Sequence, residues 1–209
     1  GSRIVTSLQT LVSREQDPQD PAVVTVGSFQ AGAKHNIIPD QALLLLTVRS
    51  YSDETRAKLI KGIERIARGE AIAAGVPDDK MPVVSVKDEF TPSTYNPPEF
   101  AEQMCALLKG HFAEGRVVKT PAVMGGEDFG RFYRADKSIN SFIFWVGGVP
   151  ADKMAAAEAG QITLPSLHSP FWAPEAGLGL YTSTVDLAKL DHAALVRRCP
   201  CVFQENVKK

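Results

Sequence analysis

The order in which helical and strand-like spacings of apolar residues follow one another in the first 90 residues restricts the fold more than any other feature of the sequence. Apolar residues recur at helical spacing over residues 3–15, and runs typical of strands follow at Val23–Phe29 and Gln41–Ser50. A second helical stripe follows Ser52–Asp53, one of which caps it, and Pro82–Phe90 alternates as a strand does. The order helix, strand, strand, helix, strand predicts a small α+β sandwich, with its helices on one face of an antiparallel sheet.

A change of composition at Thr91–Pro98 separates this pattern from the rest of the chain. Three prolines fall there together with Ser, Thr and Asn, which is typical of a linker. The elements predicted beyond it are helix Glu99–Phe112, strand Arg116–Lys119, a loop leading into a helix over Met124–Arg134, strand Ser141–Val146, and helices Ala173–Leu187 and Asp191–Arg198. The apolar run Ser141–Val146 suits the buried centre of an α/β sheet. We therefore predict two domains, residues 1–93 and 94–209.

Charge and hydropathy exclude two classes of partner. The formal net charge is −1, with 23 basic and 24 acidic residues, whereas a nucleic-acid-binding protein usually carries a basic face. No apolar run approaches the roughly 18 residues needed to span a bilayer. We therefore expect neither a nucleic acid nor a membrane as partner.

The segment Met124–Phe129 has two features of a binding site. Gly125 and Gly126 allow a ligand to approach the backbone, and Glu127 and Asp128 follow where a helix is predicted to begin. Simple capping of that helix by the two acids explains the same residues without any site. Local chemistry leaves both interpretations open.

Three further residues are candidates for a site. His168 lies in a proline-bracketed loop after the predicted central strand, and such loops often carry the sites of α/β proteins. Asn36 lies in a turn and Arg49 near a strand end, so the two could face one another across the small sheet. The guanidinium of Arg49 can bind a carboxylate as a planar fork. Taken singly, these residues also fit a surface histidine, a turn residue and a surface cation.

The sequence contains no complete catalytic constellation. Its four histidines form no His-x-His, His-x-Asp or His-Glu-x-x-His pair; they are His35, His111, His168 and His192. Cys105 falls within an apolar helical pattern, which predicts a buried thiol. Cys199 and Cys201 could bind a metal or form a strained disulfide, but a lone Cys-x-Cys favours neither.

Seven segments in register resemble the peptidase and amidohydrolase family that includes hippurate hydrolase, bacterial aminoacylases, auxin-conjugate hydrolases and glutamate carboxypeptidase. The matching segments are Ile4–Glu15, Asp20–Gly27, Asn36–Asp40, Thr47–Arg49, Gly126–Phe129, Trp145–Gly147 and Leu167–Pro170. None of them is specific alone, and their common order carries the resemblance.

The resemblance implies an α/β metallopeptidase catalytic domain into which a smaller ferredoxin-like lid is inserted. Residues 1–93 would be the lid and dimerisation domain, with two helices on an antiparallel sheet, and residues 94–209 the C-terminal part of the catalytic domain. The implied reaction is hydrolysis of the amide bond of an N-acyl amino acid or related small peptide. The implied cofactors are two divalent ions (Zn, Mn, Co or Ni) that share a bridging water. A homodimer through the lid is also implied.

Family roles carry over to seven residues of this chain. His168 matches the last metal ligand, and Asn36 and Arg49 match lid residues that hold the substrate carboxylate or the oxyanion. The resemblance also places Gly125 and Gly126 at the substrate pocket and Glu127 and Asp128 close to the metals.

The family's other metal ligands and its general base would lie upstream of residue 1. We therefore expect no catalytic residue within this chain, no stable metal binding by it alone and no activity of it alone, because one imidazole does not hold a catalytic ion. The alternative is a non-catalytic α+β module that dimerises or binds a ligand. The loop with His168 and the Glu127–Asp128 pair favours the enzyme.

Overall fold

The computed structural model describes residues 1–112, 114–166 and 168–173, and the backbone of residues 201–205. The chain divides into two compact units. The first unit comprises Gly1–Ser93 together with Met124–Asp128, and the second comprises Thr94–Val123 together with the described residues from Phe129 onward.

The first unit is a two-stranded antiparallel sheet with two helices on one face. Its elements are α1 (Ser2–Ser13), β1 (Ala22–Ala31), β2 (Ala42–Ser50) and α2 (Asp53–Ala73), followed by a 3-10 turn at Asp78–Lys80. Strands β1 and β2 pair in register from Ala22 opposite Ser50 to Ala31 opposite Ala42, with an irregularity between Val26 and Ser28. The prediction of helices combined with a small antiparallel sheet is confirmed.

The core of the first unit lies between the sheet and both helices. It buries Leu8 and Leu11 of α1, Leu59, Ile63 and Ile66 of α2, and Ala22 and Val24 of β1. Val48 of β2 packs against this cluster, whereas Leu45 is 52% exposed. Because side chains alternate along a strand, the two lie on opposite faces of the sheet. A Cβ at Gly62 would collide with the Leu11 side chain, so a larger residue there would force Leu11 to shift within the core.

A polar network fixes the start of α2. The Ser52 hydroxyl accepts a hydrogen bond from the Thr55 backbone N–H at 3.0 Å, as expected of an N-cap residue. The hydroxyl of Thr55, which is buried, donates to Asp20 at 2.5 Å. Asp20 in turn accepts from the Gln16 side-chain amide at 2.9 Å. The network ties the connection between α1 and β1 to the first turn of α2.

The strand predicted at Pro82–Phe90 is not formed in the described structure. The alternation holds only locally: Val84 packs against the first core and Val83 is 92% exposed, but Val86, which a period of two would place with Val84, is 47% exposed. The Arg56 guanidinium lies over the ring of Phe90, with its Cζ atom 4.0 Å from the ring centroid. A period of two residues indicates which side chains face a core, but it does not provide the backbone partner that a strand requires.

The second unit contains a three-stranded sheet of order β3–β5–β4 in the described part of the chain. Its elements are α3 (Pro98–His111), β3 (Val117–Pro121), α4 (Gly130–Ala135), β4 (Phe144–Val146), α5 (Ala151–Glu158) and β5 (Cys201–Glu205). Strand β5 is parallel to β3 and antiparallel to β4. Residues Met104, Cys105 and Leu108 of α3 pack with Val117 and Phe142 in a second core. The predicted buried thiol is confirmed, since Cys105 is 8% exposed.

The strand predicted at Ser141–Val146 is shorter in the described structure. The strand comprises only Phe144–Val146 and lies at an edge of the described sheet, with β5 in the middle. Just before it, the buried side chain of Asn96 binds the backbone of Ile143. The Ile143 N–H donates to Asn96 Oδ1 at 2.9 Å, and the Ile143 carbonyl accepts from Asn96 Nδ2 at 2.8 Å. The amide of Asn96 therefore substitutes for a neighbouring strand at this position.

Two elements of the second unit were not predicted. Helix α5 follows Pro150 and ends before Gly160, whose φ of 71° is typical of the residue after a helix. Its alanine-rich sequence between proline and glycine is a signal that favours a helix. Strand β5 has no comparable signal, and the predicted helices Ala173–Leu187 and Asp191–Arg198 lie, apart from Ala173, outside the described residues. No described helix combines the length and the apolar character that crossing a membrane needs.

Candidate functional site

Arg49 lies near the end of β2, on the sheet face opposite the helices. It pairs with Val23 across the sheet, and its neighbour Val48 packs against the core on the other face. The Nη1 group of Arg49 donates a hydrogen bond to the backbone carbonyl of Met124, 75 residues away in sequence. The sequence did not identify the Met124 carbonyl as an acceptor, because a backbone carbonyl accepts a hydrogen bond whatever side chain the residue carries. The contact links β2 to the Met124–Asp128 segment of the first unit.

The acidic pair precedes helix α4. The helix begins at Gly130 after Phe129 as N-cap, and the Phe129 side chain forms no capping hydrogen bond. Glu127 and Asp128 are exposed and lie in the stretch just before it. Neither acid occupies the N-cap position or the first turn of α4.

Neither backbone conformation nor packing requires glycine at position 126. The φ of Gly126 lies outside the left-handed region, and a Cβ built there would meet no atom within 4 Å. Gly125 and Gly126 are both exposed. The backbone at Gly126 is therefore open to a ligand, which is one established use of a glycine that conformation does not demand.

Asn36 and Arg49 lie toward opposite ends of the hairpin. Asn36 is exposed in the loop 32–41, which joins the two strands and ends where β2 starts at Ala42. From Ala42 to Arg49 the strand advances about 3.4 Å per residue, or roughly 24 Å. The expectation that the two side chains face one another across the sheet is therefore wrong, because a returning strand carries its last residues away from the turn.

His168 is exposed in a turn of the second unit. The turn is held by hydrogen bonds from the Ser169 N–H to the Ser166 carbonyl at 2.9 Å and from the Trp172 N–H to the Ser169 carbonyl at 3.0 Å. Helix α5 lies in sequence between β4 and this loop.

No three His, Cys, Asp or Glu side chains of the described residues come together as ligands of one metal ion. The described residues alone therefore do not fit a dinuclear centre, which needs several ligands converging on one point. Cys199 and the side chain of Cys201 lie outside the part of the chain that the structure describes.

Two ionisable groups outside the predicted site have shifted pKa values. Burial raises the pKa of Tyr51, so its hydroxyl keeps its proton at neutral pH. Hydrogen bonds from the Ser138 hydroxyl at 2.7 Å and from its backbone N–H at 2.9 Å lower the pKa of Asp136. The charged Asp136 thus closes the turn after α4.

Comparison with known proteins identifies the family. Residues 1–74 match the peptidase dimerisation domain family. N-acetyldiaminopimelate deacetylase of Brevibacillus brevis is 32% identical over 147 residues, which cover 70% of this chain and 37% of that protein. Hippurate hydrolase of Campylobacter jejuni is 34% identical over 143 residues, covering 68% of this chain and 36% of the relative. The chain belongs to this amidohydrolase family.

A solved structure supports the same amidohydrolase relationship. A protein from methicillin resistant Staphylococcus aureus, assigned as an aminohydrolase, superposes with a TM-score of 0.52 at 30% identity. The match covers 65% of this chain and 33% of that one. The family resemblance predicted from seven short segments is therefore confirmed. The chain spans little more than a third of the length of the amidohydrolases it matches, 37% for the Brevibacillus protein.

Proposed function

We propose that this chain is the C-terminal part of a metal-dependent amidohydrolase that cleaves the amide bond of N-acyl amino acids or related small peptides. The contact of Arg49 with the Met124 carbonyl is the observation that carries the proposal. It brings a guanidinium to a glycine segment that is open to ligands, and an N-acyl amino acid presents the carboxylate that a guanidinium binds best. Gly125 and Gly126 are proposed to line the pocket for that substrate.

The metal centre is proposed for the longer protein. The family resemblance supports divalent metal ions, for which we consider Zn, Mn, Co and Ni, and such ions supply an activated water and polarise the substrate carbonyl when bound. His168 is proposed as one ligand, with Glu127 and Asp128 near the metals and the remaining ligands upstream of this chain. We accordingly assign residues 1–93 as the lid and residues 94–209 as the C-terminal part of the catalytic domain, and we expect this chain alone to be inactive.

The proposal is tested with the full-length protein and matched pairs of substrates. N-acyl amino acids and their C-terminal carboxamides differ only in the group that Arg49 would bind. A hydrogen bond to a charged group contributes roughly 1.5–3 kcal/mol, so kcat/KM for the carboxamides should fall about 10-fold or more. The measurement is amino acid release in the presence of divalent metal. Equal rates on acid and carboxamide would refute the role of Arg49, and no release from any substrate would favour the non-catalytic module.

A homodimer accounts for the separation of Asn36 and Arg49. The match of residues 1–74 to a dimerisation domain supports self-association through the first unit. Because β2 extends roughly 24 Å from Ala42 to Arg49 and Asn36 lies in the loop before Ala42, we infer that the two residues of one chain do not hold one small substrate. A two-fold dimer presents the same residues twice in complementary positions. We propose that Asn36 serves the site of the partner chain.

Mixed dimers of the full-length protein test this arrangement. Asn36→Ala and Arg49→Ala should each abolish most activity alone. Co-expression should restore about a quarter of the wild-type activity, because half of the dimers are mixed and each mixed dimer has one intact site. Each variant co-expressed with a differently tagged copy of itself is the matched control. No restoration in the mixed sample would show that Asn36 and Arg49 do not meet across a dimer.

A further inference from the structure

The guanidinium of Arg49 already binds an acceptor of its own chain. Its Nη1 donates to the Met124 carbonyl. Arg49 is exposed, and this carbonyl is its hydrogen-bond acceptor among the described residues. A guanidinium has five N–H groups arranged as a fork, and the carbonyl uses one edge of it. A carboxylate that binds this edge through two parallel N–H groups competes with the carbonyl for Nη1.

A carboxylate is a stronger acceptor for this group than a peptide carbonyl. It carries a full negative charge and accepts two parallel N–H groups, whereas the Met124 carbonyl is neutral and accepts from Nη1. Both hydrogen bonds are charge-assisted because the guanidinium is ionised, but the carboxylate adds the opposite charge and a second parallel hydrogen bond. A carboxylate that reaches Arg49 would therefore displace the carbonyl.

The segment that Arg49 contacts is largely exposed and lies outside both cores. Gly125 through Asp128 are exposed, and beside Gly126 there is open space within 4 Å of the place of a Cβ. The glycine pair gives the backbone wide conformational freedom next to Met124. Displacement of the carbonyl would therefore shift the segment without disturbing either core.

We infer that Arg49 exchanges between the Met124 carbonyl and a carboxylate ligand, so that ligand binding releases the Met124–Asp128 segment from β2. The inference rests on the proposed function, because the ligand is the carboxylate of the N-acyl amino acid. The internal carbonyl then acts as a weak competitor, and apparent affinity is reduced by the fraction of molecules in which it is bound. Release also changes the position of Glu127 and Asp128 when substrate arrives.

The peptide bond between Met124 and Gly125 provides a direct readout. The amide nitrogen of Gly125 shares that bond with the carbonyl, so its 15N chemical shift responds to the hydrogen bond from Arg49. The chain has 16 glycines, and selective 15N-glycine labelling gives a spectrum with few signals. Arg49→Ala should move the Gly125 signal, whereas Arg65→Ala, which removes an arginine paired with Glu15 elsewhere in the first unit, should leave it in place.

Ligand titration of the 209-residue chain tests the exchange. N-acetyl-L-alanine should move the Gly125 signal saturably toward its position in the Arg49→Ala variant, and N-acetyl-L-alaninamide should not. Acetate separates recognition of any carboxylate from recognition of the whole ligand. Arg49→Lys keeps the charge without the fork and should weaken the response. No shift in Arg49→Ala, no response to N-acetyl-L-alanine, or an equal response to its amide would overturn the inference.

The outcome is distinguishable from failure of the proposed function. A saturable response of Gly125 to carboxylates, with no hydrolysis by the full-length protein, would leave the exchange standing and remove the enzyme assignment. Hydrolysis by the full-length protein, with no response of the Gly125 signal in the full-length protein or in the 209-residue chain, would keep the enzyme assignment and remove the exchange.

Discussion

Replacement of Leu8 with alanine is expected to lower the free energy of unfolding of the first unit by roughly 2–5 kcal/mol. Leu8 is 0% exposed and lies in the core cluster that joins α1 to α2 and the sheet. The loss combines the transfer free energy of the removed methyl groups with the cost of the cavity that remains. Urea-induced unfolding followed by far-UV circular dichroism measures it.

Leu45→Ala is the matched control, because the same atoms are removed from a residue that is 52% exposed on the other sheet face. We expect a change within about 1 kcal/mol there, as is usual for surface positions. Equal losses for the two variants would mean that the outer sheet face is as buried in solution as the helix-covered one.

The elements of the first unit could be predicted because each is specified locally. The helix that became α2 has a serine cap at Ser52 and an apolar stripe of suitable period, and both are visible in the sequence. Likewise, β1 and β2 are continuous β-branched and leucine-rich runs separated by turn residues. Propensity and periodicity act over a few residues, and such signals fix where an element begins and ends.

Strand partners could not be predicted in the same way. Pro82–Phe90 and Ser141–Val146 have strand-like composition, yet the described structure pairs only Phe144–Val146 of these. The deciding contacts come from distant residues. Asn96 binds the backbone of Ile143 from 47 residues away, a partner that no local pattern announces.

Candidate site residues can be named from the sequence, but their arrangement cannot. The glycine pair and the acids were recognisable, and the open backbone at Gly126 fits the interpretation as a ligand-binding segment. The separation of Asn36 from Arg49 could not be predicted, because the pairing of β1 with β2 sets it. The Arg49–Met124 contact depends on folding that brings residues 75 positions apart together.

Replacement of His168 with alanine in the full-length protein is expected to lower kcat/KM for N-acyl amino acids by roughly 10³-fold, together with the loss of bound metal. A metal ion provides several kcal/mol of transition-state stabilisation, and each 1.4 kcal/mol or so is a factor of ten in rate. His111→Ala is the matched control, because His111 is an exposed histidine in the last turn of α3 and belongs to no matching segment.

The decisive measurement is turnover and bound metal in the same samples, before and after chelation and readdition of a divalent ion. The account predicts that wild type and His111→Ala lose turnover with the chelator and regain it with the ion, while His168→Ala has neither turnover nor a full complement of metal. Undiminished turnover and metal content in His168→Ala would contradict the assignment of this chain to a metal-dependent hydrolytic site.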